Sequence, residues 1–280
     1  MSVDRAVWLV TGCSTGFGRE LVRVLLRQGK KVVATARNAT SLAEFVASEN
    51  ALVMALDVTI PAQIDDVVRQ AEARFGGIDV LVNNAGYGYL SAIEEGEDDE
   101  VRAMFETNVF GLANVTKAVL PGMRKQARGH IVNISSMGGL IGFPGVGYYN
   151  ATKFAVEGMS EALAKETAPL GIKVTIVEPG PFRTEWAGRS LKMPKNAIAD
   201  YAATAGARRN ATHSYSGSQP GDPVRGVQAI ILAVESPEPP LHLLLGRPAF
   251  DAAAAKFKEF SAEMEKWREV SLGADFPKAG

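Results

Sequence analysis

The 280-residue sequence holds one cysteine, Cys13. A lone thiol excludes an intrachain disulfide framework and fits a reducing compartment. No apolar run reaches the roughly 18 residues that a membrane-spanning helix requires. Net charge is almost absent, with 30 Lys and Arg against 31 Asp and Glu. That balance argues against a broadly basic nucleic-acid binder, whose domain pI usually exceeds about 9. Histidine is scarce: His130, His213 and His242 are scattered without metal-ligand spacing, so no metal is expected. Met1–Arg5 has no basic stretch leading into a long apolar segment and a small-residue cleavage site. Internal repeats and low-complexity linkers are missing too. These absences lead to the expectation of a cytoplasmic globular protein with no nucleic-acid or membrane partner. They leave its chemistry open.

What is present is a regular alternation. Short apolar runs at Val7–Val10, Val32–Ala36, Leu52–Leu56, Val80–Val82, Ile131–Ile134 and Val174–Val177 read as buried strands. Between them lie stretches with apolar residues at helical spacing: 18–28, 41–49, 61–75, 101–123 and 149–168. Ser41 and Glu44 have the spacing of a capping box. Continuous apolar strands separated by helices predict an α/β fold with a doubly wound parallel sheet covered on both faces. Residues 185–222 mix Gly, Ser, Asn, Arg and Pro with isolated apolar side chains. They read as a partly helical, mobile insertion beside a substrate. A helix near 224–234, a strand near 241–245 and an amphipathic helix to about 271 complete the chain. Phe250, Phe257, Phe260, Met264 and Trp267 form a stripe on that helix, expected to pack in the core or between subunits. The acidic run Glu94–Glu100 is expected to cap the long helix and face solvent. The Asn-x-Ser/Thr triplets at Asn133 and Asn150 read as chance, since Asn133 sits in a core strand.

The first strand runs into Thr11-Gly12-Cys13-Ser14-Thr15-Gly16-Phe17-Gly18 and then a helix. Glycines let the backbone turn sharply and approach a pyrophosphate, and the helix N-terminus offers free N–H groups. The second strand ends at Ala36-Arg37. An NAD-selective site would place an acidic side chain here for the ribose 2′-hydroxyl. None stands at Ala36, and Arg37 offers a planar cation suited to a 2′-phosphate, unless it is simply a solvated strand-end charge. The expected cofactor is therefore NADP(H) rather than NAD(H), with Thr15 a possible hydroxyl donor. Cys13 reads as a small loop residue.

Five motifs then stand in order: Thr11-Gly12-x-x-x-Gly16-x-Gly18, Asp57, Asn83-Asn84-Ala85-Gly86, Ser136 with Tyr149-x-x-x-Lys153, and Pro179-Gly180 with Thr184. This ordered set resembles the short-chain dehydrogenase/reductase family in its single-domain form. Gly139–Gly142 and Lys153–Gly158 also look like the branch holding hydroxysteroid and retinol dehydrogenases. Because cofactor and catalytic motifs interleave, one Rossmann-type domain is expected over residues 1–280.

The resemblance implies a catalytic set of Asn108, Ser136, Tyr149 and Lys153. Tyr149 would be the acid/base, Ser136 the carbonyl polariser and Asn108 the anchor of a water relay. Lys153, four residues after Tyr149 and on the same helix face, would lower the phenol pKa. Ser135 and Tyr148 are the neighbouring alternatives. The family's 13-residue separation favours Ser136, and the spacing to Lys153 favours Tyr149. Cofactor contacts are implied at Gly12, Ser14, Thr15, Gly16, Phe17, Gly18, Arg37, Asp57, Val58, Asn84, Ala85, Gly86, Tyr149, Lys153, Pro179, Gly180, Phe182 and Thr184. Asp57 has a competing reading as a turn or cap residue.

The substrate side would comprise Gly86–Leu90, Leu140–Val146 and the 185–222 insertion, an apolar and aromatic lining. The expected activity is interconversion of an apolar ketone or aldehyde and its alcohol. A non-catalytic redox-sensing regulator on the same scaffold is the alternative, and an epimerase or dehydratase of the extended branch a more distant one. Assembly as a homodimer or homotetramer, through the helices around 101–123 and 149–168, is also implied by the resemblance.

Overall fold

A computed structural model describes residues 6–188 and 191–276 of the chain. Met1–Arg5, read above for a leader pattern, and residues 189–190, inside the expected insertion, lie outside the described residues, as do 277–280. The side chains of Ala187 and His213 are likewise outside them.

Seven parallel strands form one sheet: β1 (Val7–Val10), β2 (Lys31–Ala36), β3 (Ala51–Ala55), β4 (Val80–Asn83), β6 (Gly129–Ile134), β7 (Ile172–Pro179) and β9 (His242–Leu245). Their order is β3-β2-β1-β4-β6-β7-β9. A small second sheet pairs β5 (Gly88–Tyr89) with β8 (Leu191–Lys192), also in parallel. Every strand of the large sheet is matched to its neighbour in parallel register, for example Val10 with both Ala34 and Val82. This is the doubly wound α/β architecture that the alternating pattern predicts.

Alternation along the strands sorts side chains onto two faces. Trp8, Val10, Val32, Ala34, Val82 and Val132 meet α1 (Gly16–Arg27) and α7 (Pro223–Glu235), through Leu21, Leu25, Val227 and Ile230. Leu9, Val33, Leu81, Ile131 and Val174 meet α2 (Pro61–Phe75) and α4 (Leu112–Gln126), through Ile64, Val67, Val115 and Met123. Burying one such aliphatic side chain contributes about 1.5–3 kcal/mol. Helix ends follow local chemistry. Asp222 caps α7 through its carboxylate, with Pro223 in the first turn. Gly76, at φ 88°, stops α2 in the left-handed region.

Two local expectations are corrected. The Ser41–Glu44 capping box does not form: residues Ala39–Phe45 make a 3₁₀ helix capped by Asn38, which accepts from Thr40 N. Glu44 instead pairs with Arg19 and Arg23 of α1. The expected long helix at 101–123 runs as α3 (Asp98–Phe105), a π turn (Glu106–Gly111) and α4.

A buried amide ladder crosses the sheet beneath the site. Asn83 Nδ2 donates to Asn133 Oδ1 at 2.9 Å and to Thr116 Oγ1 at 2.9 Å; Asn133 Nδ2 donates to Ser160 Oγ at 2.8 Å. Removing one member strands buried polar partners, each costing about 1–3 kcal/mol. Asn133→Ala is therefore expected to lower the urea midpoint by the equivalent of about 2–4 kcal/mol, with the m-value unchanged. An unchanged midpoint contradicts the ladder's role.

Candidate active site

The winding direction reverses between β1 and β4, because β2 and β3 lie to one side and β6, β7 and β9 to the other. Such a reversal opens a crevice at the carboxyl ends of the strands. The loop after β1 and the loop after β4 diverge there but remain tied. Thr11 Oγ1 accepts from Asn84 N and Ala85 N, both at 3.0 Å. Asn84 Nδ2 donates to Thr11 O at 2.9 Å and Gly12 O at 3.0 Å.

The approach is close enough to require glycine. A Cβ on Gly12, which sits at φ +70°, would lie 2.8 Å from Ala85 Cα. A Cβ on Gly18 would lie 2.5 Å from Asn84 Nδ2 and 2.7 Å from Gly12 O. Gly18 therefore closes the turn and does not line the crevice. Cys13 is fully buried, donates to Val10 O, and burial pushes its thiol up to about 12, which fits a packing residue.

A cavity of about 1260 Å³ occupies the crevice. It exceeds the roughly 300–1,000 Å³ of a common small-ligand pocket, leaving room for a dinucleotide and a second molecule. Its walls include Gly12, Ser14, Thr15, Gly16, Phe17, Arg37, Asp57, Val58, Asn84, Ala85 and Gly86. They also include Ser136, Tyr149, Lys153, Pro179, Gly180, Phe182 and Thr184. Phe17 and Phe182 stack obliquely across one wall, with ring centroids 4.9 Å apart. Arg37 is exposed at the end of β2 and has no carboxylate partner among the described residues. Asp57 lines the cavity and also makes the turn its alternative reading described, accepting from Thr59 N and Oγ1. This glycine-turned loop at a helix start and the size of the cavity fit a dinucleotide, with the Arg37 cation exposed at the end of β2.

Tyr149 and Lys153 stand in the first turns of α5 (Gly147–Thr167), both buried. The Tyr149 hydroxyl lies beside Ser136, whose hydroxyl favours the ionised phenol. Ser136 Oγ accepts from Gly138 N at 3.0 Å. Ser135 bonds Glu157 on the other side, and Tyr148 turns away to donate to Ile93 O at 2.9 Å. The geometry thus separates both pairs of neighbours.

Lys153 Nζ donates to Ile134 O at 2.8 Å and lies 5.8 Å from the Tyr149 ring centre. Burial dominates here, so the phenol is not lowered as the spacing to the lysine led one to expect. Burial pushes Tyr149 up to about 12, opposed by the neighbouring Ser136 hydroxyl. Burial likewise pushes Lys153 down to about 8, with Glu157 opposing. Both groups move toward their neutral forms because charge is costly away from water.

Asn108 sits in the π turn and does not line the cavity. Its amide accepts from Tyr87 N and donates to Tyr87 O and Thr152 Oγ1, pinning the segment after β4 against α5. A π turn in a long helix is frequent at functional sites.

On the open side, Tyr87, Phe143, Val146 and Trp186 form an apolar wall, with the Trp186 ring 5.3 Å from that of Tyr149. Of the expected substrate stretches, Tyr89 and Leu90 are buried away from the cavity, and Leu140–Gly142 do not reach it. Two cations unforeseen in the sequence reach the rim. Arg208 lies over Phe143 at 5.4 Å and Lys192 over Tyr87 at 5.2 Å.

The 185–222 segment is better organised than expected. It contains β8, a π turn (Ala202–Gly206) and α6 (Ala207–Tyr215). The acidic run that was expected to face solvent holds it in place. Glu95, 6% exposed, binds Arg209 through both guanidinium nitrogens at 2.5 and 3.1 Å and accepts from Ile198 N. The Arg209 bonds hold the Glu95 carboxyl down at about 2. Glu94 receives the Tyr201 hydroxyl, and Glu100 pairs with Lys192.

These findings meet a clear match to known proteins. The family model described as "short chain dehydrogenase" matches residues 6–195. The chain belongs to the short-chain dehydrogenase family. Oxidoreductase BOA17 of Botryotinia fuckeliana is 41% identical over 271 residues, covering 96% of this chain and 98% of that protein. The 3-ketodihydrosphingosine reductase of Bacteroides thetaiotaomicron is 47% identical over 176 residues, covering 63% and 64%. A short-chain dehydrogenase structure from Streptomyces avermitilis superposes with a TM-score of 0.91 at 44% identity, covering 97% of this chain and 100% of that one. A neighbour from Burkholderia phymatum, 24% identical with a TM-score of 0.82, was solved with NAD and covers 94% and 96%. One from Burkholderia cenocepacia, 25% identical with a TM-score of 0.74, was solved with NADP and covers 95% and 98%. These relatives are fungal and bacterial oxidoreductases; they show the family and do not single out the hydroxysteroid or retinol branch. Among the described residues no helix is long and apolar enough to cross a membrane.

One further cluster had no signal in sequence spacing. Glu157 of α5, Glu178 of β7 and His242 of β9 converge, with His242 Nδ1 2.7 Å from Glu178 Oε1. Burial pushes Glu157 up to about 7 and Glu178 up to about 8. Both bind a proton more tightly when folded than at an ordinary carboxylate pKa of about 4.3. They therefore lend stability at acid pH that is lost as pH rises toward 7 and 8. Unfolding free energy is expected to fall between pH 5 and 8, and to fall less in Glu178→Gln. An identical fall in the variant assigns it to other groups.

Proposed function

We propose that this dehydrogenase is an NADP(H)-dependent oxidoreductase that interconverts an apolar ketone or aldehyde and its alcohol. The observation that carries the reading is Tyr149, buried and lining one cavity with Ser136 and Lys153, at the junction of the dinucleotide-sized crevice and the apolar wall of Tyr87, Phe143, Val146 and Trp186. The glycine loop, Asp57, Val58 and Asn84–Gly86 would hold the cofactor along the crevice, with Pro179–Thr184 beside the glycine loop at its pyrophosphate and nicotinamide and Arg37 at the 2′-phosphate. When bound, the nicotinamide supplies or accepts the hydride.

The chain's own part is the proton. A substrate carbonyl oxygen accepts from Ser136 Oγ and from the Tyr149 hydroxyl, which polarises the carbonyl. As negative charge develops on that oxygen, the phenol proton passes to it, leaving a phenolate. Lys153 stabilises that phenolate and replaces its proton. A phenol held neutral by burial suits the acid in the reductive direction. Asn108 acts on the site by fixing the segment at Tyr87. The apolar wall excludes water from the reacting oxygen.

Substrate class rests on the lining, and the Bacteroides thetaiotaomicron relative named for 3-ketodihydrosphingosine supports a long apolar ketone. The likeness of Gly139–Gly142 and Lys153–Gly158 to hydroxysteroid and retinol dehydrogenases supports the same apolar class. Arg208 and Lys192 suit a polar or anionic end left at the rim.

NADPH oxidation against apolar ketones, aldehydes and steroids, with polar sugars and hydroxy acids as controls, tests the reading. Tyr149→Phe is expected to lower kcat by about 10²–10⁴ while cofactor binding persists. Undiminished turnover in that variant, or turnover of the polar panel alone, overturns it. For the cofactor, Arg37→Ala is expected to raise the KM for NADPH about ten-fold or more, a charge-assisted contact, and to leave that for NADH nearly unchanged. Equal effects on both would remove Arg37 from the 2′-phosphate.

A further inference from the structure

The last long helix leaves the body of the protein. α8 (Arg247–Lys266) is rooted by Ala249 and Ala253, which are 0% and 1% exposed. A Cβ on Gly180 would lie 3.2 Å from Ala249 N, so the root presses directly behind the site segment. Beyond it, every described residue from 254 to 276 is exposed, through the short α9 (Arg268–Leu272). An isolated helix of this length is marginal in water.

Its exposed surface is not polar all round. Phe250, Phe257, Phe260, Met264 and Trp267 are between 52% and 62% exposed. With Ala253 they recur at alternating steps of three and four residues. That is a narrow seam with the spacing of a helix that packs against another helix, not the wider stripe of a helix lying on a globular core. The core-packing reading of the stripe is thereby excluded within one chain.

We propose that this seam pairs antiparallel with the same seam of a second copy, about a twofold axis between Lys258 and Glu259. In that arrangement Phe257 opposes the partner subunit's Phe260, and Phe250 opposes the partner subunit's Trp267. Lys256, flanking the seam, faces the partner's Glu263. The twofold axis repeats each contact, which is the self-complementarity an isologous interface demands.

Charge selects this occupant. Residues 247–272 carry five basic and five acidic side chains. A helix that lies on an anionic membrane is instead rich in Lys and Arg on its polar face. Parallel pairing would leave Lys256 without an acidic counterpart and bring the two bodies, rooted at the same helix end, side by side. The antiparallel arrangement keeps them at opposite ends. This contact differs from pairing along α4 and α5, so loss of one leaves the other intact.

Sedimentation of the full-length chain over a concentration series tests the pairing. Lys256→Glu and Glu263→Lys are each expected to weaken one association step about ten-fold, since each reversal turns two attractive pairs repulsive. The double variant is expected to restore the parental constant to within about two-fold, an effect that simple surface damage cannot produce. Phe257→Glu with Phe260→Glu is expected to abolish the step without changing the Tm of the body. Five results overturn the proposal. The parent stays monomeric at all concentrations, or the aromatic variant assembles as the parent does. The double charge variant stays as weak as the singles, or Glu263→Lys weakens assembly while Lys256→Glu leaves it unchanged, as a parallel pair would. Lastly, phosphatidylglycerol vesicles bind the parent's helix with no change in its assembly.

Discussion

The reversal of winding between β1 and β4 is the constraint on which the rest of the structure depends. Two neighbouring strands send their following chains to opposite faces, so a crevice must open between them. Thr11 and Asn84 set its width, because the hydroxyl and the amide tie one loop to the backbone of the other. The tie demands closeness that a side chain at Gly12 or Gly18 would prevent. With that junction fixed, parallel strands deliver every other wall to the same edge. Ser136 follows β6, Pro179 ends β7, and Asp57 and Arg37 follow β3 and β2. A chemistry-bearing residue placed just after a strand therefore arrives at the site without a dedicated scaffold.

The second consequence is electrostatic. Thr184, Trp186, Lys192, Arg208 and Tyr215 line one side of the crevice, and Tyr149 and Lys153 are buried within it. Charge is then costly on both, and the dominant effect on each is desolvation, not their mutual attraction. The same burial acts one turn further along α5, where Glu157 and Glu178 are pushed toward protonation. The site thus rests on groups that burial shifts toward their neutral forms. Glu95 moves the opposite way because two guanidinium bonds and two backbone N–H groups receive its charge. Paired charge holds the closing segment, and burial shifts the groups around the proposed chemistry toward their neutral forms.

Much of this was legible in the sequence, for a physical reason. Strands buried on both faces must be apolar throughout, and helices between them must show a 3.6-residue stripe. The strands at Val7, Lys31, Ala51, Val80, Gly129 and Ile172 each lie within a residue or two of that expectation. The glycine loop was legible because steric demand at Gly12 and Gly18 leaves no alternative residue. The assignments at Ser136 over Ser135 and Tyr149 over Tyr148 were not derivable from residue type. They followed from a family spacing, and the coordinates supply the cause: the neighbours are engaged with Glu157 and Ile93.

What escaped the sequence is the identity of each exposed-looking residue's partner. Glu95 sits in an acidic run that reads as a solvated helix start, yet it meets Arg209 more than a hundred residues later. Glu178 stands within an apolar strand, which was itself a signal, but the convergence of Glu157 and His242 upon it comes from neighbouring strands and α5. Periodicity reports which side of an element differs from water; it does not say what lies on that side. The stripe from Phe250 to Trp267 shows the limit most plainly. Its apolar spacing is as regular as that of α1, where Leu21 and Leu25 are buried, whereas Phe257 and Trp267 are open. The difference lies in whether the sheet extends beneath the helix. It ends at β9, so the helix that follows roots on the body chiefly through Ala249 and Ala253, and its remaining seam is left open for the partner helix proposed above.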